Sequence, residues 1–427
     1  MVGYKKIISV LLLTTLTGIA VAQNNTNSPY TRYGYGQLSD QSFGNSKAMG
    51  GLAYGLRDGS QINASNPASY TAIDSLTFLF DGGLTLQNMN ISDGKTRINT
   101  KNSSFDYLAM QFRASKQLAM SLGFLPFSNV GYNFGSSNKL TDSTDPSKTT
   151  NTLYSSFGEG GIHQMYVGAG YSPFKGLSVG ANVSYLFGSI NRTLGVTFPN
   201  DNTITPLSEV DNLRVRDYKL DLGFQYTQYL GKKNTLTFGA VFSPGHSLNS
   251  EATRIRSTSV SDTIQLDNKF DLPQSFGLGF TYVYNNSLTV GFDYTLQKWG
   301  KADFFGDKSL CDRSKYSIGA EYVPNRLKRN YFSRVKYRIG AYYSDPYIRI
   351  DDGTNHNNPE LWAKGPKEYG VSAGFGLPVF KSKSILSISA QYIKVEAKTK
   401  SMINENYLKL SVGITFNERW FAKWKME

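Results

Sequence analysis

The chain has 427 residues, one cysteine (Cys311) and a formal net charge of +13. A single cysteine excludes an intramolecular disulfide, and beyond the N-terminus no apolar run reaches the ~18 residues of a transmembrane helix. The positive charge does not point to nucleic acid, because Lys and Arg fall mostly in turns such as Lys232-Lys233 and Arg326-Leu327-Lys328-Arg329.

The first element is an export signal, residues 1–22. Lys5 and Lys6 form its basic region, Ile7 to Leu16 its apolar core, and Ala20-Val21-Ala22 its small-residue cleavage site. Residues 23–75 follow. They are rich in Gly, Ser and Asn and show no period-two run.

Strand-like segments then fill residues 76–416, at 76–89, 105–114, 118–126, 162–172, 177–190, 213–230, 235–242, 276–284, 288–299, 316–323, 335–350, 369–378, 385–395 and 407–416. The alternation is clear in 288–299, where Leu288, Val290, Phe292, Tyr294 and Leu296 share one face and Thr289, Gly291, Asp293, Thr295 and Gln297 the other. Most segments run about 9 to 12 residues, the length of a tilted strand crossing a bilayer, whereas sandwich strands are shorter. The fold expected is all-β: a transmembrane antiparallel β-barrel of about 14 strands in a bacterial outer membrane. The 28 Tyr and 26 Phe suit its lipid-facing side. Membrane lipid and lipopolysaccharide are the partners that the turn-borne cations fit.

The connections sort by parity. Short links at 115–117, 173–176, 231–234, 285–287 and 379–384 alternate with long polar links at 127–161, 191–212, 243–275, 300–315 and 351–368; the link 324–334 is the longest exception among the short ones. Short turns face the periplasm in such barrels, which puts the N-terminal segment and the C-terminal tail, residues 417–427, on that side. Small polar inward faces leave a lumen too wide for wall side chains to fill, so residues 23–75 are expected to enter it as a plug.

Within that segment, Gly44, Ala48, Gly50 and Gly51 lead to Asp58 and then to Asn66, Pro67 and Ala68 just before the first strand. Gly and Ala permit close backbone packing, and Asn-Pro sets a tight turn. This order resembles the N-terminal hatch of the FadL-type outer-membrane transporters of fatty acids and other hydrophobic compounds. Arg57 and Gln61 make this hatch more polar than the family's, and the aromatic, basic tail is similar to that of Bacteroidetes relatives. The resemblance implies a hatch-gated apolar pocket with lateral release into the bilayer. Met49, Leu52, Tyr54, Leu56 and Ile62 are then the candidate pocket residues; ordinary plug packing is the alternative for each.

Catalytic and metal chemistry find no footing. The three histidines, at 163, 246 and 356, stand apart, and Ser247 beside His246 on a strand would point the opposite way. No cofactor, metal or enzymatic role is expected. The sequence supports uptake of a hydrophobic small molecule first. A non-transporting subunit of an outer-membrane multiprotein complex, bound to other outer-membrane proteins, is the runner-up, and a general diffusion pore is third.

Overall fold

A computed structural model describes residues 25–141, 149–201, 203–266, 269–305, 308–326, 328–351, 358–379, 383–397 and 402–419. The expected signal, most of the tail and His356 lie outside them.

Fourteen antiparallel strands close into a barrel. They are β1 Thr77–Ser92, β2 Arg97–Arg113, β3 Leu118–Thr141, β4 Thr149–Tyr171, β5 Leu177–Thr197, β6 Leu207–Leu230, β7 Asn234–Ser243, β8 Ser275–Tyr284, β9 Leu288–Gln297, β10 Arg313–Tyr322, β11 Lys336–Ser344, β12 Lys367–Pro378, β13 Ile385–Glu396 and β14 Asn404–Arg419. Each pairs with its sequence neighbours, and β14 closes on β1 from Thr77↔Arg419 to Ser92↔Asn404. Closure removes the open edges that no lipid could hydrogen-bond.

The usual inside–outside order is inverted. Val167, Val183, Leu278, Ile318, Ile339 and Val371 are exposed on the outer wall, while Gln111, Asn182, Gln225, Ser317, Ser372 and Gln391 are buried facing the lumen. Period two produces this: alternate side chains meet hydrocarbon and the polar interior. Tyr294, Tyr316, Tyr343 and Tyr369 lie opposite one another on β9 to β12. Tyr322, Tyr337 and Phe375 form a second such row nearer the short turns. Two aromatic rows bracket the apolar band as interfacial girdles do.

On the long-loop side the strands outrun their expected ends. Residues 127–141 and 149–161 are strand, not loop, and so are 191–197 and 207–212. Above the bilayer both faces of a strand are wet, so the alternation that reveals a strand lapses although the ladder continues. A hairpin, Ser250–Ser257 with Ser261–Gln265, extends this sheet by pairing with β6. From the described parts of the links 244–274, 298–312 and 345–366, Phe270, Leu272, Trp299, Phe304, Leu310, Tyr347 and Ile348 pack into a cap over the mouth. Cys311 is buried in this cap, its thiol directed at the Pro346 carbonyl.

The segment 25–75 runs through the lumen between the long-loop side and the short-turn side. Its start is tied to long-loop ends: Ser28 Oγ donates to Glu405 (2.7 Å), Tyr30 Oη to the Ile403 carbonyl (2.5 Å), and Tyr35 Oη to the Asp271 carbonyl (3.0 Å). Its end is tied to the short-turn side, where Arg113 donates to the Ile73 carbonyl (2.5 Å) and Lys383 pairs with Asp74 (3.1 Å). Tyr35 explains the path, because the cap offers this aromatic side chain a fully buried apolar site between Trp299 and Phe304.

Candidate functional site

The site is the contact between this threaded segment and the wall. Gly44–Ala48 forms one buried helical turn, α1. Just before it, Phe43 stacks on Tyr107 with ring centroids 4.0 Å apart, and the Gly44 N–H donates to Tyr107 Oη (2.9 Å). After it, Gly50 sits at φ +68 with its Cα against β11; a Cβ there would lie 2.6 Å from the Ala341 carbonyl oxygen. The Gly50 N–H donates to Ser372 Oγ (3.0 Å), and Gln391 donates to the Lys47 carbonyl (2.7 Å).

Further along, Asp293 of β9 accepts the N–H groups of Ala53 (2.6 Å) and Tyr54 (2.9 Å). Asp58 closes its own turn by accepting from the Ser60 N–H (2.9 Å) and pairs with Lys336 (2.9 Å). Burial alone would raise the Asp58 carboxyl; Lys336 outweighs it and holds the group well below the usual carboxylate range. Lys336 also lies 3.9 Å from Glu321, which pairs with the fully buried Arg338 (2.8 Å).

Asn66 caps the 3₁₀ turn Pro67–Ala72 by accepting the Ala68 N–H (3.2 Å) and donates to the Tyr54 carbonyl (2.7 Å). Pro67 and Ala68 press on Gly180, where a Cβ would meet Pro67 C at 2.5 Å. Asn66→Ala removes a cap and one of the two donors on the Tyr54 carbonyl, Gln225 being the other. It should cost about 1–3 kcal/mol, read as a lower urea midpoint for the protein in lipid vesicles; an unchanged midpoint would remove Asn66 from the tether.

The five candidate pocket apolars separate. Met49, Leu52 and Leu56 form one buried cluster, and Ile62 packs with Tyr70, Ile73 and Leu79. Only Tyr54 also lines the chamber inside the barrel, with its hydroxyl 2.8 Å from Thr295 Oγ1. That chamber holds about 280 Å³. Its lining includes Asp40, Lys47, Asp106, Lys315, Glu368 and Lys409. Burial raises the Asp40 carboxyl, but Lys315 and Lys47 outweigh it and keep it ionised.

The chamber reaches a place where the wall ladder parts. Strands β2 and β3 pair only from Leu108↔Phe124 to Arg113↔Ala119. Above that, among the described residues, β2 pairs only with β1, and the β3 ladder continues on β4. A bulge stands on each side: Asp106 is left out of the β1–β2 register and Phe127 out of the β3–β4 register. The short strand Gln37–Leu38 of the N-terminal segment pairs with Asn129 and Ser128 on the freed edge of β3. The Ser39 N–H donates to the Phe127 carbonyl (2.9 Å) and Gln41 to the Pro126 carbonyl (3.0 Å). Lys47 of α1 reaches Asp106 at 2.6 Å. Phe105, Asp106, Leu125, Pro126 and Phe127 all line the chamber.

Lys47, Asp106 and the pair Gln37–Leu38 were not singled out from the sequence. A signal existed for Asp106: Phe105 and Leu108 both face outward though three apart, a phase slip in a period-two pattern that marks a bulge. Ser247 and His246 do not meet. Ser247 donates to Asp271 (2.6 Å), while His246 stacks on Tyr218 and lies 3.5 Å from Asp217.

A family model described as BamG matches residues 3–427. No curated protein sequence matches the chain. Among solved structures, the Ralstonia pickettii toluene transporter TbuX aligns at 15% identity and TM-score 0.59, covering 88% of this chain and 98% of its own. A Pseudomonas aeruginosa FadL homologue aligns at 12% and 0.58 (90% and 99% covered), and the Pseudomonas putida toluene transporter TodX at 15% and 0.56 (91% and 100%). At these identities the likeness is one of fold, and the fold is that of the FadL-type outer-membrane barrels. A closed barrel of this kind with an apolar outer wall lies in the bacterial outer membrane, short turns toward the periplasm.

Proposed function

We propose that this chain, which belongs to the BamG family, takes up hydrophobic small molecules across the outer membrane, with residues 23–75 as its hatch. The observation that carries this reading is the parted ladder between β2 and β3 where it meets the chamber. A molecule that leaves the lumen sideways enters hydrocarbon directly and avoids desolvating into the periplasm. Gln37–Leu38 closes the freed edge of β3, and Lys47–Asp106 holds α1 beside it. Release of these two contacts opens the way without breaking the barrel. The solved neighbours that carry this fold include proteins described as toluene transporters, which fits a small apolar cargo.

The test is a lock. Gln37 and Asn129 are antiparallel partners, so Gln37→Cys with Asn129→Cys meets the distance a disulfide needs, and Cys311 is buried out of reach. In the oxidised double variant, uptake of a fluorescent apolar probe by cells should fall at least tenfold and return on reduction. Uptake that is indifferent to the lock would overturn the reading.

A second reading has its own support: a non-transporting subunit of an outer-membrane protein complex for assembly or secretion. The chamber's charged lining and the packing of Met49, Leu52, Leu56 and Ile62 away from it favour that role, since neither serves an apolar ligand. It expects stable co-purification with other outer-membrane proteins under mild extraction and no probe uptake above a barrel-free control.

A further inference from the structure

The periplasmic rim is mostly cationic. The links 114–117, 172–176, 231–233 and 323–335 contain Lys or Arg but no Asp or Glu, and 285–287 carries no charge. On the opposite side cations come with acids: Arg254 with Asp211, Arg256 with Glu209, Lys298 with Asp312, and Lys308 with Glu360. On the periplasmic rim the ion pair among the described residues is Lys383–Asp74. Lys116, Lys232, Lys233, Arg326, Lys328 and Arg329 are exposed there with no carboxylate partner among the described residues.

The link 323–335 is the centre of this surface. Among its described residues the Asn325 N–H donates to the Ser333 carbonyl (2.8 Å) and the Arg334 N–H to that of Tyr331 (2.9 Å). Phe332 is 69% exposed, yet its carbonyl accepts from the hydroxyl of Tyr337, a member of the lower aromatic row on the lipid-facing wall (3.2 Å). This bond ties the Phe332 backbone to the lower aromatic row, and the exposed Arg326, Lys328 and Arg329 belong to the same turn. Lys175 likewise lies over the Tyr229 ring, 5.0 Å from its centroid. Cations set beside interfacial aromatics sit where lipid phosphates are.

We propose that this rim, centred on Arg326, Lys328 and Arg329, binds the anionic phospholipid headgroups of the periplasmic leaflet. The placement favours lipid over an acidic periplasmic protein, because the cations share a turn with the exposed Phe332 ring, which packs edge-on against Tyr331, and that turn is bonded to the lower aromatic row of the wall. Several unpaired cations acting on one leaflet attract its phosphates together, and the attraction is screened by salt.

The test uses the full chain in detergent micelles offered equal phosphatidylglycerol and phosphatidylcholine, with retained lipid counted by mass spectrometry. Wild type should retain phosphatidylglycerol preferentially, less so at high salt. The triple variant Arg326→Gln, Lys328→Gln, Arg329→Gln should lose that preference at least tenfold. Lys298→Gln, Lys308→Gln, Lys394→Gln removes as much charge from the outer rim and should keep it. If the triple variant fails to fold, Lys232→Gln with Lys233→Gln should lower the preference about threefold. Equal phosphatidylglycerol preference in wild type and rim variants overturns the proposal. So does loss of a co-purifying acidic protein with lipid preference unchanged.

Discussion

Gly239→Val is expected to leave the barrel closed and drive the N-terminal segment off its wall. A Cβ at Gly239 would stand 1.8 Å from the Tyr54 carbonyl oxygen and 2.3 Å from its carbon, an overlap with backbone that no side-chain rotation relieves. Valine itself suits β7, where Gly239 lies in register with Gln225 and Gly279, so the strand has no reason to fail. What gives is the docking of Ala53 to Leu56, and with it the hydrogen bonds to Asp293 and from Gln225. In a Ser69→Cys background, where the residue is 5% exposed, a soluble thiol reagent should label the variant at least tenfold faster than its parent. The heat-modifiable gel shift that reports a closed barrel should persist. Unchanged labelling would mean that the segment is not held by close contact at β7.

Arg338→Met should be the most destabilising single change on the wall. The Arg338 guanidinium is wholly buried and pairs with Glu321, itself 7% exposed. Without it Glu321 keeps, among the described residues, only Lys336 at 3.9 Å, and Lys336 is already engaged by Asp58 at 2.9 Å. An unpaired carboxylate in the lumen should cost about 3–5 kcal/mol, measured by urea unfolding in vesicles. Adding Glu321→Leu should restore most of that loss, because replacing both partners leaves no charge stranded. A double variant as unstable as the single one would show that Arg338 acts by packing. Relaxation of Lys336 toward Glu321 should also loosen Asp58, so the single variant should expose the hatch faster than the double.

Much of the wall was legible because one physical rule wrote it. A residue between hydrocarbon and a polar lumen must alternate, and β9 from Leu288 to Gln297 and β14 from Tyr407 to Phe416 do so without a break. Residues 127–141 and 149–161 escaped because water on both faces imposes no alternation, although the strands continue there. The hatch motif was legible for a local reason. Asn66-Pro67-Ala68 forms its turn from its own side chain and ring, and Gly50 declares a left-handed backbone.

By itself the sequence determined an outer-membrane barrel with a polar lumen, the orientation of its strands, and a Gly-rich segment able to lie against its inner wall. These properties rest on periodicity and on turns a few residues long. Only the tertiary structure decided where the ladder parts, that Gln37–Leu38 fills the freed edge, and that Tyr35 lies in the outer cap. It also decided that Asp58 meets Lys336, 278 residues away, and that Met49, Leu52, Leu56 and Ile62 are spent in packing while Tyr54 alone of the five reaches the chamber. Such pairings exist only once closure of β14 on β1 fixes the lumen's width and brings distant strands to the same stretch of hatch.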